Sequence, residues 1–520
     1  MYSSKLFKNF LIGDCLKDYL DIYRPLPSKS RPNPFPESTP DILRLLKDHV
    51  SRTTPDTCHA EQLKQTHEKQ HNPEVPLDVD LASTDLLFDI NITNGMYREH
   101  IRCMTDKSRL FHSYKVSSAD VYILFFNIEN KLRTRMLYYQ AKFYIIRQIL
   151  SELYGKKVKV AFLNLSIIVS KDEINTLFIT EIEKWKSARI EPFVDEAFTY
   201  VQMLCDEGKN WSIDEDKPSN HLLYPNLGLR ADDQYSEIRE KLAWKWKDLS
   251  LLYFIGPVTR RLLHDRGVYT LDHHDLLHYI QSGPKSVVRT TPLVQQTQKI
   301  MIQHMFEPVV PIQVQWAPTD FFKQFAYIDI ETSYRDNKSI CNLVGILYFQ
   351  DSSWTYKYFL SKDDGCLATS KEFLESEMKD LTLVHYTDAD KVAIPSSLKS
   401  YDLYESVTNV FVTSEPLQSL HLNNFKLKTI YRKMCERLDL ENLYESCSVK
   451  NGMEALYVLT DYQHCDITDV EGVIKYNRVD VIALFLLHLY IQQNFDEKFL
   501  ELCSHREEEL CIKSDEMNVL

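Results

Sequence analysis

With 520 residues and 44% hydrophobic content, the chain is too long for one hydrophobic core, since cores stop growing near ~250 residues, and too apolar for general disorder. A formal net charge of −13 neither announces nor excludes a nucleic-acid binder, because nucleases combine acidic metal ligands with a basic groove. The 12 Gly form no Walker-type loop and the 11 Cys no Cys-x-x-Cys pair, which argues against ATP hydrolysis, zinc ribbons and a disulfide framework and favours a reducing compartment.

Met1 to Leu20 carries Lys5, Lys8, Asp14, Lys17 and Asp18 and lacks the apolar core of a signal peptide, while no stretch reaches ~18 uncharged apolar residues. A soluble intracellular protein of cytoplasm or nucleus, with no membrane association, is the expectation. Pro25 to Pro55 holds seven prolines, and His59 to Pro76 is rich in Gln, Glu, Lys and His, which predicts a polar insertion over 25–80. From Leu86 apolar runs take over. VYILFFNI (121–128) predicts a strand, RMLYYQAKFYIIRQILSELYG (135–155) a helix ended by Gly155, and KVKVAFLNLSIIV (157–169) another strand, so a mixed α/β domain is expected over 1–205.

Residues 171–317 read as mostly helical with a polar break at 206–220, and 206–317 as a helical linker. Within it, 248–277 places a turn at Gly256-Pro257, an amphipathic helix and a second turn at Gly267. That is the pattern of a helix-hairpin-helix-like unit, whose turn amides and Arg260, Arg261 and Arg266 could meet a phosphate backbone. A helical linker with a solvated basic face fits equally well.

Beyond residue 318, QFAYIDIET (324–332), ICNLVGILYFQ (340–350) and SWTYKYFL (353–360) predict three strands, the last two joined tightly at Asp351-Ser352. KEFLESEMKDL (371–381) follows as a helix, LTLVHY (381–386) as a strand, and closing helices end with VEGVIKYNRVDVIALFLLHLYIQQ (470–493). The domain is placed at 318–500, with a tail over 501–520.

Asp329 and Glu331 lie two apart on a strand, so they leave one face while Ile328 and Ile330 leave the other. Two acids on a central strand are costly without a cation, and Mg²⁺ or Mn²⁺ is the natural compensation because both prefer oxygen ligands. Tyr476 and Asp480 stack at i, i+4 on the last long helix. Together the acids fit a two-metal phosphodiesterase site, with Tyr476 orienting the attacking water. A fourth acid is expected after LTLVHY; Asp390 comes first, with Asp388 and Asp402 as alternatives. Asp402 could instead support the site from behind, and His385 reads as structural or functional with equal weight.

The order of elements is that of a ribonuclease H-like domain. YIDIET (327–332), HYTDAD (385–390), YDLYESV (401–407), FKLKTI (425–430), NGMEALYVL (451–459) and YNRVD (476–480) resemble, in order, the motifs of DEDDy-type (DnaQ-like) exonucleases, in the branch fused behind a RecB-type nuclease domain. Upstream, residues 3–25, Gln140-Ala-Lys-Phe-Tyr144 and VKVAFLNL (158–165) resemble that RecB-like, PD-(D/E)xK-type domain. Its metal motif does not survive: His100 and Ser113-Tyr114-Lys115 stand where the family has an Asp and Glu-x-Lys. Of the cysteines that hold an iron-sulfur cluster in some relatives, only Cys15 has a counterpart.

The resemblance therefore implies an α/β chain with a degenerate N-terminal nuclease fold and a C-terminal 3′-5′ exonuclease that uses two Mg²⁺ or Mn²⁺ ions on DNA or RNA. Lys115, Gln140, Tyr144, Arg260 and Arg261 are its candidate nucleic-acid contacts, and the N-terminal domain is a candidate platform for a protein partner. The competing expectations are a non-catalytic scaffold that keeps a double-nuclease fold, and a binding module that grips duplex ends with the hairpin-like unit. Scarce Gly and 30 Tyr hint at a genome of unusual composition, such as a viral one.

Overall fold

The computed structural model describes residues 4–26, 87–93, 98–105, 118–126, 136–154, 158–170, 173–182, 190–227, 234–281, 291–335, 338–361, 365–460 and 467–504. The polar insertion from 27 to 80, Lys115 with its two neighbours Ser113 and Tyr114, and the tail from 505 lie outside the described residues. Two compact units divide between Trp246 and Lys247.

The first unit opens with α1 (Ser4–Ile12) and α2 (Cys15–Tyr23), joined through Gly13, whose φ of 81° is left-handed and suits only glycine well. Five strands follow: β1 (Leu87–Thr93), β2 (Arg98–Thr105), β3 (Val121–Phe126), β4 (Val160–Ser170) and β5 (Glu173–Glu181). They form one sheet in the order β1-β2-β3-β4-β5. Only β3 and β4 run parallel, because α3 (Met136–Tyr154) carries the chain back between them. The sequence expectation of mostly helix beyond 171 is corrected at β5, where the β-branched run in EINTLFITE pairs antiparallel with β4.

Ile145, Ile146, Ile149 and Leu150 of α3 share one core with Ile123, Phe162 and Leu11. A second core joins Tyr19 and Leu20 of α2 to Tyr200 and Leu204 of α4 (Glu191–Glu207), to Leu242 of α5 (Ser236–Lys245), and to Trp211 and Trp246, which follow α4 and α5. Trp211, Ile213, Leu223, Tyr235, Leu242 and Trp246, from a stretch that the sequence assigns to a linker, thus pack with the N-terminal helices. The buried Arg239 guanidinium lies 3.6 Å from the buried carboxylate of Asp14 and ties α5 to the α1–α2 turn.

The second unit begins with α6 (Pro257–His264), α7 (Leu276–Gln281) and α8 (Pro292–His304). Its sheet contains β6 (Phe325–Arg335), β7 (Lys338–Gln350), β8 (Ser353–Leu360), β9 (Thr382–His385) and β10 (Lys399–Asp402), in the order β10-β9-β6-β7-β8. β6, β7 and β8 form an antiparallel meander, and β9 and β10 run parallel to β6. Asp351 and Ser352 turn the β7–β8 hairpin with φ of 50° and 65°, the paired positive values that match strand twist. The helices are α9 (Gly365–Glu377), α10 (Leu403–Val410), α11 (Glu415–Gln418), α12 (Leu427–Leu438), α13 (Gly452–Thr460), α14 (Ile467–Gln492) and α15 (Glu497–Ser504).

Alternation along β6 divides its side chains between two helical layers. Ala326, Ile328 and Ile330 pack with Leu374 of α9 and the adjoining Met378. Tyr327 and Trp354 pack on Phe485 of α14, with ring centroids 5.1 and 4.3 Å away. α14 is apolar nearly all round from Val481 to Leu487, which are buried without exception, as a helix covered on every side must be. Among the described residues, no helix is long and apolar enough to cross a membrane.

One expected nucleic-acid contact is corrected here. Arg260 is 5% exposed, and its guanidinium donates at 3.1 Å to the fully buried carboxylate of Asp248. The amphipathic spacing of α6 turns Arg260 inward, where Asp248 neutralises it, so the side chain holds the turn rather than facing a phosphate. Arg260→Met should cost about 3 kcal/mol by stranding a buried charge, read as a lower urea midpoint, while Asp248→Leu/Arg260→Met should recover most of the loss.

Candidate active site

β6 and α14 bring the acids together. Asp329 and Glu331 leave the α14 face of β6, and Asp480 leaves α14 toward them; one carboxylate oxygen from each lies within 4.8 Å of the others. Glu331 and Asp480 are 7% and 9% exposed. A β-bulge follows Glu331 immediately, where Thr332 steps past Asn342 to pair with Cys341.

Asp390 joins this group. It opens a short 3-10 turn, Asp390–Ala393, after β9, is 6% exposed, and accepts the amides of Tyr386 and Thr387 on Oδ2 at 3.3 and 3.1 Å. Its charge acts on Asp329, Glu331 and Asp480. The two alternatives are placed elsewhere. Asp388 is exposed, and Asp402 caps α10 by accepting the Glu405 amide at 2.9 Å. His385 is buried and donates Nδ1–H to the Thr387 carbonyl at 2.9 Å, beside Asp390, whose charge it favours.

Burial first, then the charges of Asp480 and Asp390, hold Asp329 and Glu331 well above the carboxylate range. Burial pushes Asp480 up to about 7, against the hydrogen bonds it accepts from Tyr444 and Tyr476. Tyr476 is 7% exposed, and burial followed by the charge of Asp480 raises its hydroxyl above the ordinary phenol range.

Three supporting residues escape the sequence reading. The Tyr444 hydroxyl, on a 3-10 turn at Leu443–Ser446, donates to Oδ1 of Asp480. Asn477 donates Nδ2–H to Oδ2 of Asp329 at 2.7 Å and accepts the Tyr356 hydroxyl on Oδ1 at 2.8 Å. Gly345 stands opposite Asp329 on β7, and a Cβ there would meet Oδ1 of Asn477 at 1.8 Å. An isolated glycine inside an apolar strand is a signal of close approach, and Asn477 sits three residues before Asp480 on the same helix. Tyr444 lies in a turn with no periodic pattern to mark it. Lys428 of α12 lies over the Tyr444 ring at 5.0 Å; burial lowers its pKa, while the nearby charge of Asp480 works to raise it.

The remaining candidates lie on other elements. Gln140 and Tyr144 lie one turn apart on α3 in the first unit. The Tyr144 hydroxyl is held above its ordinary range by burial and by Glu191 and Asp195. Arg261 is half-buried, and Arg266 donates to the Leu262 carbonyl at 2.7 Å.

Residues 326–492 match the family model of the RNase H superfamily, so the C-terminal part of the chain is an RNase H-like domain, of a kind that fits a nuclease and implies a nucleic-acid substrate. A search of curated proteins finds no match.

Two consequences can be measured. Because the folded pKa of Asp480 lies near 7 against an ordinary 3.8, the folded state binds the extra proton between those values. In chelator, stability should therefore fall as pH rises from about 4 through about 7, and the Asp480→Asn variant should lose part of that slope in thermal melts. Gly345→Ala should cost about 1–3 kcal/mol through overpacking in urea denaturation, since Asn477 or Tyr356 must move away.

Proposed function

We propose that the RNase H-like domain is a metal-dependent 3′-5′ exonuclease of the DEDDy type that hydrolyses phosphodiester bonds of DNA or RNA. The observation that carries this reading is the convergence of Asp329, Glu331 and Asp480 within 4.8 Å, with Asp390 near enough to raise all three. The donor set is entirely carboxylate oxygen, which suits hard Mg²⁺ or Mn²⁺ and not softer ions. Asp329, Glu331, Asp390 and Asp480 would hold two such ions. When bound, they supply Lewis-acid stabilisation of the phosphate and a more acidic water.

The chain's own residues prepare that site. Asn477, the Tyr386 and Thr387 amides, and Tyr444 each fix one oxygen of Asp329, Asp390 and Asp480 respectively, which sets the direction of each carboxylate. Tyr476 is the residue we assign to orient the attacking water, because its hydroxyl reaches Asp480 and is too weak an acid to ionise at neutral pH. The N-terminal unit, on its resemblance to a RecB-like domain lacking its acids, is proposed to hold nucleic acid or a protein partner without cleaving.

End-labelled single- and double-stranded DNA and RNA should release nucleotides from the 3′ end in Mg²⁺ or Mn²⁺ and stay intact in chelator. Asp329→Ala and Asp480→Ala should abolish release with the fold retained, and undiminished activity in either would remove the site. Tyr476→Phe should lower the single-turnover rate by ~10²-fold, the scale of a lost proton or water partner, with metal affinity unchanged; an equal rate would leave Tyr476 a packing residue.

A further inference from the structure

A second group of metal-type ligands lies outside the carboxylate site. His304 ends α8, Glu307 follows one turn later, and His421 comes from the connection between α11 and α12. Nδ1 of His304 is 3.0 Å from Oε2 of Glu307, and Nε2 of His421 is 3.5 Å from the same oxygen. All three ligand atoms lie within 4.8 Å of one another, and the two imidazoles stack with centroids 5.9 Å apart. Around a tetrahedral ion with bonds of ~2.1 Å, ligand atoms sit ~3.4 Å apart, so two of the three spacings already match.

The tautomer of His421 adds an independent observation. Its Nδ1 lies 3.1 Å from the backbone carbonyl oxygen of Glu307. A carbonyl can only accept, so Nδ1 carries a proton and Nε2 is the atom turned to the Glu307 carboxylate. A neutral ring would aim its lone pair at that anion, an arrangement that needs a cation between them or a second proton on the ring. Donation of the other ring N–H to a carbonyl is how metal-ligating histidines are generally oriented. His421 also holds a left-handed φ of 49°, a region in which histidine is enriched among non-glycine residues.

The geometry points to a site for one Zn²⁺ bound by His304, Glu307 and His421, with water completing the shell. Two imidazole nitrogens and one carboxylate form a borderline donor set that favours Zn²⁺ over Mg²⁺. His304 and Glu307 precede the RNase H-like domain, which spans 326–492, and His421 lies inside it. The ion therefore pins the segment leading into the domain to the loop ahead of α12. The same segment is already laced to α12 at Arg437, whose carbonyl accepts the Ile312 amide at 2.8 Å and whose guanidinium donates to the Val310 carbonyl.

The test uses the full chain carrying Asp329→Asn and Asp480→Asn, so that the carboxylate cluster is silenced. After chelation it is titrated with Co²⁺, whose visible bands report low-coordinate nitrogen and oxygen ligation, and then with Zn²⁺ and Mg²⁺. One equivalent of Co²⁺ should bind, be displaced by Zn²⁺ and withstand millimolar Mg²⁺, and Zn²⁺ should raise the melting temperature. His421→Ala and the shape-preserving Glu307→Gln should each weaken binding at least 100-fold and remove the thermal shift. No Co²⁺ spectrum, or one that survives both substitutions, overturns the site and leaves an ion pair of protonated histidines with Glu307.

Discussion

Buried carboxylates that approach one another repel, and the C-terminal domain is built around keeping Asp329, Glu331, Asp390 and Asp480 together in spite of it. Burial removes the water that would screen them, so the charged forms are disfavoured twice, by desolvation and by each other. Holding such a cluster takes rigid elements on every side. β6 supplies two acids from the centre of a sheet, α14 supplies one just before its fully buried stretch, and the turn after β9 supplies one whose orientation is fixed by backbone amides.

Close approach matters as much as charge. Asn477 can reach Asp329 only because the strand opposite carries no side chain at Gly345, and Tyr356 then locks the amide from its far side. One absent methyl group thus sets the depth at which α14 sits over the sheet. The hydroxyl of Tyr444 does similar work from a turn, reaching Asp480 with its ring against that of Tyr476, centroids 5.8 Å apart.

The parts of this arrangement that repeat were legible in the sequence. Period-two alternation placed Asp329 and Glu331 on one face and Ile328 and Ile330 on the other, and the 3.6-residue period placed Tyr476 and Asp480 together on a buried helix. Features without a period were harder. β1, β2, β5 and β10 are short or bounded by polar residues, and β5 reads as helix because Ile174, Leu177 and Phe178 fall at the i, i+3, i+4 spacing rather than alternating. Asp390 and Asp402 look alike in sequence, whereas in the structure the first accepts the amides of Tyr386 and Thr387 and the second caps α10. Arg260 misled because basic residues on an amphipathic helix ordinarily face water, whereas here Asp248, twelve residues upstream, draws it into the interior.

The distance along the chain between the two halves of the acid cluster has a kinetic consequence. Asn477 and Asp329, which meet at its edge, are 148 residues apart in sequence, so the full set of acids meets only when α14 docks on β6. If closing so long a loop follows the rate-limiting step, as its entropic cost favours, the electrostatic strain falls on the native side of the barrier. Relieving that strain, whether by a cation or by an amide in place of an acid, should act mainly on the rate of unfolding and leave the rate of folding nearly unchanged.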